Sequence, residues 1–382
     1  MSKKKILFVT ENLYGGGVER ILQIILSHFN YDKYDVTLYS ICRYDYNSSF
    51  FSPYVTYKYI YDALSPQDSV WTRLYKTGKN KLKLMIYTYC SANLFYKLFV
   101  NENADVVIAF IEGYATRVVS GFPEYIRKIA WVHTDLVNNH WTKVAYRNNK
   151  EELYAYSCMD TIVCVSRVVK EMADKCLGVG DKTIVLYNPI DYQEIVRKSN
   201  ELVDVAKSSK LQIVSLGTLI PIKGFDRLIR VLAQLNKEGV DIELCIYGRG
   251  ENLNVLKQLS QDLHISDIVH FCGFKENPYP YLKNADIYVC SSIAEGYNTA
   301  ITEALILGRP VVSTECSGVK EQLGDDNEWG ICCSNSEEGL YEGLKEMLTD
   351  DNMLHYTRQA CKRGTHFTLE LSMNEIYKLI EL

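Results

Sequence analysis

Glu295 and Glu303 stand eight positions apart in the stretch EGYNTAITEALILGRPVV (295–312), whose other residues are mostly apolar. Carboxylates in such company need partners or a task, because an unpaired charge is costly to bury. Thr299–Leu307 reads as a helix stopped by Gly308 and Pro310, with Asn298 as its N-cap. Glu295 then lies in the loop before the helix, and Glu303 more than one turn inside it. The backbone N–H groups around Tyr297–Thr299 would face a ligand in front of the helix start, where an anion is favoured.

Three strand-to-glycine turns offer further approaches to a ligand. ENLYGGGVER sets Gly15, Gly16 and Gly17 between a strand and a helix. SLGTLIPIKGFDRLI runs a strand into Gly217 and Thr218, then presents Lys223 and Gly224 before a helix. IYGRGEN holds Arg249 between Gly248 and Gly250. Glycine permits close backbone approach, and a lysine on such a loop neutralises phosphate. Taken singly, each reads equally well as a solvated turn. None has the G-x-G-x-x-G dinucleotide spacing or the Gly-Lys-Ser/Thr ending of a nucleoside-triphosphate loop. In AWVHTDL, His133 follows an apolar strand end and would face a cleft, although a lone histidine there is as readily structural.

The elements that must position these residues alternate. Short β-branched runs at Ile6–Val9, Val36–Tyr39, Val106–Phe110, Ile129–Val132, Thr161–Val165 and Ile184–Leu186 are interleaved with helical patterns such as Val18–Phe29. After the polar segment 191–210 the pattern restarts: strand Gln212–Leu216, helix Phe225–Leu235, strand Ile242–Tyr247, helix Leu253–Leu263, then strands Ile268–Phe271, Ile287–Cys290 and Pro310–Ser313. This predicts two successive α/β halves with mostly parallel sheets, and ligand binding at the carboxyl ends of strands.

A chain of 382 residues accommodates two such domains, and a hydrophobic share of 47% with 23% charged residues reads as globular. Its net charge of -5 argues against a nucleic-acid partner. Twelve scattered cysteines, without C-x-x-C pairs, fit a reducing cytosol. The basic start and the run Ile6–Val9 are too short for a signal sequence and predict a first strand.

Together these motifs resemble glycosyltransferase family 4, retaining enzymes with two Rossmann-like domains (the GT-B fold) facing each other across a cleft that binds a nucleotide-sugar donor. The resemblance covers nearly the whole chain: GGGVER, WVHTDL, VCVSRVVKEM, YNPID, LGTLIPIKGFDRLI, IYGRG, FCGF, SSIAEGYNTAITEALILGRPVVST and SGVKEQL. The Glu-x7-Glu pair with EAL-x-x-GRPVV is its most specific part. It implies an acceptor-binding domain at 1–190, a linker at 191–210, a donor-binding domain at 211–365, and a last helix within 366–382 packing back on the first domain.

The resemblance also implies roles. Glu295, Lys223 and His133 would form the catalytic group: Glu295 on hydroxyls of the transferring sugar, Lys223 on the leaving phosphate, His133 beside the donor sugar. Glu303 would hold the ribose. Gly296, Tyr297, Asn298 and Thr299 would receive the diphosphate, Gly16 and Gly17 would let it approach the first half, and Gly273 and Phe274 would contact the base. Gly217 and Thr218 belong to the same donor site. The family usually has arginine where this chain has Thr218, and Arg249 is expected to supply the missing cation. The absence of a D-x-D triplet argues against a metal held by that motif. No cofactor is expected, since the donor is itself a substrate.

The implied function is retaining transfer of a hexose or N-acetylhexosamine, from a UDP-sugar rather than GDP-mannose, to a glycan acceptor, lipid-linked, in bacterial capsule, O-antigen or exopolysaccharide assembly. The segment Trp71–Phe99 holds Arg73, Lys76, Lys79, Lys81, Lys83 and Lys97 and no acid. It is expected to rest on the anionic inner face of the cell membrane, making the protein cytoplasmic and peripheral. Thr218 leaves open a catalytically silent GT-B protein that binds sugar nucleotides or partners an active transferase. A phosphorylase or epimerase, and least of all a dehydrogenase, are the remaining alternatives.

Overall fold

Strands covered on both faces are apolar at every position instead of alternating. Ile6, Leu7, Phe8 and Val9 are all buried, as are Val106–Ala109 and Ile287–Cys290. In the computed structural model, which describes residues 3–13, 16–43, 52–65, 67–203 and 209–382, such strands build two parallel sheets. The chain divides into two units: the described residues up to Pro189 together with Leu371–Leu382, and Ile190–Glu370.

The first unit runs β1 (Lys4–Thr10), α1 (Gly17–Ser27), β2 (Tyr34–Cys42), β3 (Val55–Tyr61), α2 (Val70–Tyr89), α3 (Ala92–Phe99) and β4 (Val106–Ala109). It continues with α4 (Tyr114–Ser120), β5 (Arg127–Val132), α5 (Asn149–Ser157), β6 (Thr161–Cys164), α6 (Arg167–Leu177) and β7 (Thr183–Val185). The sheet order is β3-β2-β1-β4-β5-β6-β7, parallel throughout. The order reverses between β1 and β4, so the loops after those strands splay apart and leave a crevice. Strand β3, VTYKYIY, escapes a reading from sequence because it is an edge strand, mostly half-buried and rich in tyrosine.

The second unit opens with α7 (Tyr192–Ser199), β8 (Leu211–Leu216), α8 (Phe225–Lys237), β9 (Ile242–Tyr247), α9 (Leu253–Asp262) and β10 (Val269–Gly273). Then come α10 (Tyr279–Asn284), β11 (Ile287–Cys290), α11 (Thr299–Ile306), β12 (Val311–Thr314), α12 (Val319–Leu323), β13 (Ile331–Cys333), α13 (Glu337–Met347) and α14 (Asp350–Gly364). The order β10-β9-β8-β11-β12-β13 reverses between β8 and β11. Apolar clusters cover both faces of this sheet. The stretch 191–210, expected as a linker, carries α7: Asp191 caps it, Ile195 is buried, and it packs on α10. Residues 204–208 of that stretch lie outside the described residues.

The last helix, α15 (Leu369–Glu381), packs on the first unit. Lys4 Nζ donates to the Ile380 carbonyl at 2.7 Å, Tyr34 donates to Glu381, and the Tyr377 ring stacks on Tyr34 at 5.7 Å. All twelve cysteines are free thiols. Among the described residues no helix is long and apolar enough to cross a membrane.

Candidate active site

The reversal between β8 and β11 brings together two loops far apart in sequence. After β8 the chain passes Gly217 and Thr218, makes a short 3-10 helix at Pro221–Lys223, and enters α8 through Gly224. After β11 it passes Ser291–Tyr297 and enters α11 through Asn298. The loops interlock through backbone and side chain: Ile293 N–H donates to Ile222 O at 2.8 Å, and the Ser291 hydroxyl to Lys223 O at 3.0 Å. Gly224 has φ +60°, and a Cβ there would meet the Ser291 carbonyl at 2.1 Å, so only glycine fits.

This seam sets Lys223 Nζ 2.6 Å from Glu295 Oε1. The same oxygen accepts Ser292 Oγ at 2.6 Å and Asn298 Nδ2 at 3.2 Å. The hydrogen bonds shown for Glu295 among the described residues thus all fall on Oε1. Burial by itself would lower the Lys223 pKa. The charge and hydrogen bond of Glu295 outweigh it and leave the pKa raised, so the amine stays an ammonium.

Helix α11 begins beside this pair. Asn298 Oδ1 accepts from Ala300 N–H at 3.0 Å, the N-cap expected from the sequence. Gln322 Nε2 holds the Asn298 carbonyl at 2.8 Å, and Gly318 packs so closely that a Cβ would lie 2.9 Å from Gly296 O. The Gly296–Thr299 turn is therefore rigidly backed. Glu303, 6% exposed, accepts from Tyr279 OH at 3.2 Å. The buried Tyr288 lies near both glutamates: burial foremost, then the charges of Cys290, Glu295 and Glu303, push its phenol pKa far up.

The loops after β8, β9 and β10 are also tied together. Gly217 N–H donates to Tyr247 O, Leu219 N–H to Arg249 O and Gly248 N–H to Gly273 O, each at 3.0 Å. A Cβ on Gly248 would meet Gly217 O at 1.8 Å. Arg249 therefore neighbours the exposed Thr218 through the chain itself, while its guanidinium lies 4.9 Å over the half-exposed Phe274 ring.

In the first unit, His133 follows β5. Its N–H donates to Glu112 Oε2 at 3.0 Å, and its Nε2 lies 2.9 Å from Phe110 O. A carbonyl only accepts, so Nε2 carries the proton and Nδ1 is the lone pair. Burial lowers the ring's pKa against the opposing pull of Glu112, which keeps it neutral. Glu112 also accepts Trp141 Nε1 at 3.2 Å, bracing the loop. Gly16 precedes α1 in extended backbone, where a Cβ would lie 2.5 Å from Glu19 Oε2. The Glu19 carboxylate thus turns back on the helix start, where an incoming anion would meet it. Around Gly17 there is open space, and Gly15 lies outside the described residues.

Ser292, Cys290, Cys316, Tyr279 and Glu112 were not singled out from the sequence. Asn298 Nδ2 donates to Cys290 Sγ at 3.1 Å and Cys316 Sγ to Ser292 O at 3.0 Å, so two thiols help to hold the Glu295 loop. Single residues in loops and at the ends of elements carry no spacing signal that would mark them.

Comparison with known proteins accounts for almost the full length. Residues 15–194 match the family described as Glycosyltransferase Family 4, and residues 197–364 match Glycosyl transferases group 1. A Campylobacter jejuni N-acetylgalactosamine-N,N'-diacetylbacillosaminyl-diphospho-undecaprenol 4-alpha-N-acetylgalactosaminyltransferase is 35% identical over 189 residues, 49% of this chain and 50% of that protein. The Rhizobium meliloti lipopolysaccharide core biosynthesis glycosyltransferase LpsE is 29% identical over 210 residues, 55% and 59% of the two chains. The match thus spans about half the length of these curated relatives. Among solved structures, Anabaena HepE in complex with UDP-glucose superposes with a TM-score of 0.74 at 16% identity, covering 99% of both chains. WaaG, a glycosyltransferase involved in lipopolysaccharide biosynthesis, superposes with a TM-score of 0.66 at 14% identity, covering 98% and 99%. Two parallel α/β sheets of this order are the GT-B fold.

Proposed function

Because the chain belongs to the group 1 and family 4 glycosyltransferases, we propose that it moves a hexose or N-acetylhexosamine from a UDP-sugar, with retention, to a lipid-linked glycan acceptor. The setting proposed is assembly of a bacterial surface polysaccharide. The relative from C. jejuni acts on a diphospho-undecaprenol acceptor, LpsE is a lipopolysaccharide enzyme, and HepE holds UDP-glucose, which supports this substrate class. The observation that carries the reading is the Lys223–Glu295 pair at the start of α11.

Breaking the bond between sugar and diphosphate leaves negative charge on the phosphate and positive character on the ring. Fixed cations and dipoles around the leaving group therefore lower the barrier most. Lys223 supplies the cation and the Gly296–Thr299 amides supply the dipoles. Glu295 Oε2 accepts from a sugar hydroxyl, Glu303 from the ribose, and His133 Nδ1 from a hydroxyl of the donor sugar. Gly273 and Phe274 take the base, while Gly16 and Gly17 border the diphosphate. With Oε1 already accepting three hydrogen bonds, Glu295 is a poor nucleophile. Attack on the same face, with the leaving phosphate oxygen taking the acceptor's proton, retains configuration without an enzyme nucleophile.

Thermal unfolding with UDP-sugars and GDP-mannose tests the donor class. A donor at about 100 times its Kd adds about 2.7 kcal/mol and should raise Tm by several degrees. If no nucleotide sugar moves Tm, the reading fails; binding without transfer to any glycan acceptor identifies the silent alternative. Arg249 is proposed to leave Phe274 and supply the charge that Thr218 lacks. Arg249→Ala should then lower kcat/KM roughly tenfold or more, and adding Thr218→Arg should restore much of it. Unchanged turnover in Arg249→Ala would remove Arg249 from the site.

A further inference from the structure

Gln322 is completely buried in α12, beside Val319 and Leu323 of an apolar cluster. Its Nε2 donates to Asn298 O and to Thr302 Oγ1, each at 2.8 Å. A carbonyl only accepts, so the nitrogen must be the atom facing Asn298, and the carboxamide has one orientation. Its Oε1 is thereby turned into the protein, where it has no hydrogen-bond partner among the described residues. A buried acceptor without a donor destabilises a fold, and an unbranched apolar side chain of the same length would avoid that loss. Stability alone therefore gives no reason for a carboxamide here.

The carbonyl that Gln322 holds closes the turn leading into α11. The peptide joining Asn298 to Thr299 is planar and trans, so its N–H points away from its C=O. Fixing the carbonyl from the inner side thus fixes the direction of the Thr299 N–H, one of the first helical amides, which have no acceptor within their own helix. Ile301 N–H also reaches Asn298 O, at 3.2 Å, but it belongs to α11 and moves with it. Gln322 is a support from outside that helix. Its own helix is braced in turn: Arg363 donates from Nε to Gln322 O at 3.2 Å and from Nη2 to Glu321 O at 2.8 Å. The same guanidinium lies 4.2 Å over the Trp329 ring and 5.1 Å over that of Phe367. The carboxamide therefore links a braced helix to a single peptide of the site.

We propose that Gln322 is a positioning residue for sugar transfer, aiming the Thr299 N–H at the departing diphosphate. This role rests on the transferase reading above. Gln322→Met keeps the length of the side chain and removes both polar atoms. Its Tm should equal or exceed that of the unaltered protein, because the unsatisfied oxygen is gone and the Thr302 hydroxyl can turn to the Asn298 carbonyl one helical turn back. Its kcat should nevertheless fall roughly tenfold or more, with KM for the donor changed less than about threefold, since the amide meets charge that develops as the bond breaks. Thr302→Val is the converse. It leaves the bond to Asn298 but strands a buried N–H of Gln322, so Tm should fall while kcat stays within about threefold. A merely structural Gln322 cannot produce these opposite patterns. Unchanged kcat in Gln322→Met overturns the proposal, as does a joint fall of kcat and Tm or a failure to fold. A loss of kcat in Thr302→Val equal to that in Gln322→Met overturns it as well. An unaltered protein that turns over no nucleotide sugar would instead sink the transferase reading, and this role with it.

Discussion

Lys223→Ala is expected to lower kcat for sugar transfer by about two to three orders of magnitude, roughly 2.7–4 kcal/mol of barrier. The lysine sits where the reversal of strand order places a charge beside the α11 N-terminus, and Glu295 keeps it ionised. Its loss would remove the cation proposed to meet the developing phosphate charge and leave Glu295 without its counter-ion. The two residues act as a unit, so Glu295→Gln combined with Lys223→Ala should cost much less than the sum of the single losses. Steady-state kinetics on the three variants measures this, and strictly additive effects would separate the two residues functionally. Lysine's folded pKa is raised, so the stability this pair confers is fully present below the ordinary lysine pKa. It is lost as pH rises through the higher folded value, and the pair therefore holds through neutral pH.

Gly224→Ala should be nearly as damaging although no atom of Gly224 need touch a substrate. Its left-handed backbone costs alanine about 1 kcal/mol, and the added carbon would overlap the Ser291 carbonyl. The β8 and β11 loops must then part, which should destabilise the protein by about 2–4 kcal/mol and lower Tm by several degrees. Because the same seam positions Lys223 against Glu295, kcat/KM should fall about a hundredfold or more in the fraction that stays folded. A variant that keeps both Tm and kcat/KM would show that the interlock is dispensable. Gly17→Ala is the contrasting substitution for stability alone and should leave Tm unchanged, since no protein atom lies within 4 Å of a Cβ at that position.

Much of the layout was legible because it rests on local patterns. Short, mostly apolar runs mark buried parallel strands, and β9 and β11 begin and end where the sequence reading put them. Asn298 could be read as an N-cap because capping depends on a few consecutive residues. The edge strand β3 and the three-residue β13 were missed, since neither is long or apolar enough to show a period. Helix α7 was masked by its polar composition, because only Ile195 and Ser199 are buried and packing on α10 helps to hold it.

By itself the sequence determined the α/β class and the restart of the pattern in a second half, and it nominated the residues proposed to meet a nucleotide sugar. It did not determine which of them touch. Lys223 and Glu295 are brought together by a strand order that depends on long-range packing of whole elements. The same holds for Arg249, whose place beside Thr218 comes from backbone bonds between neighbouring loops. In α2 the composition is plainly basic and amphipathic, yet only the tertiary structure decided which face is inward. Asp62 and Asp68 lie outside the helix and draw Lys79 and Lys76 toward the body, leaving Trp71, Tyr75 and Tyr89 to the outside.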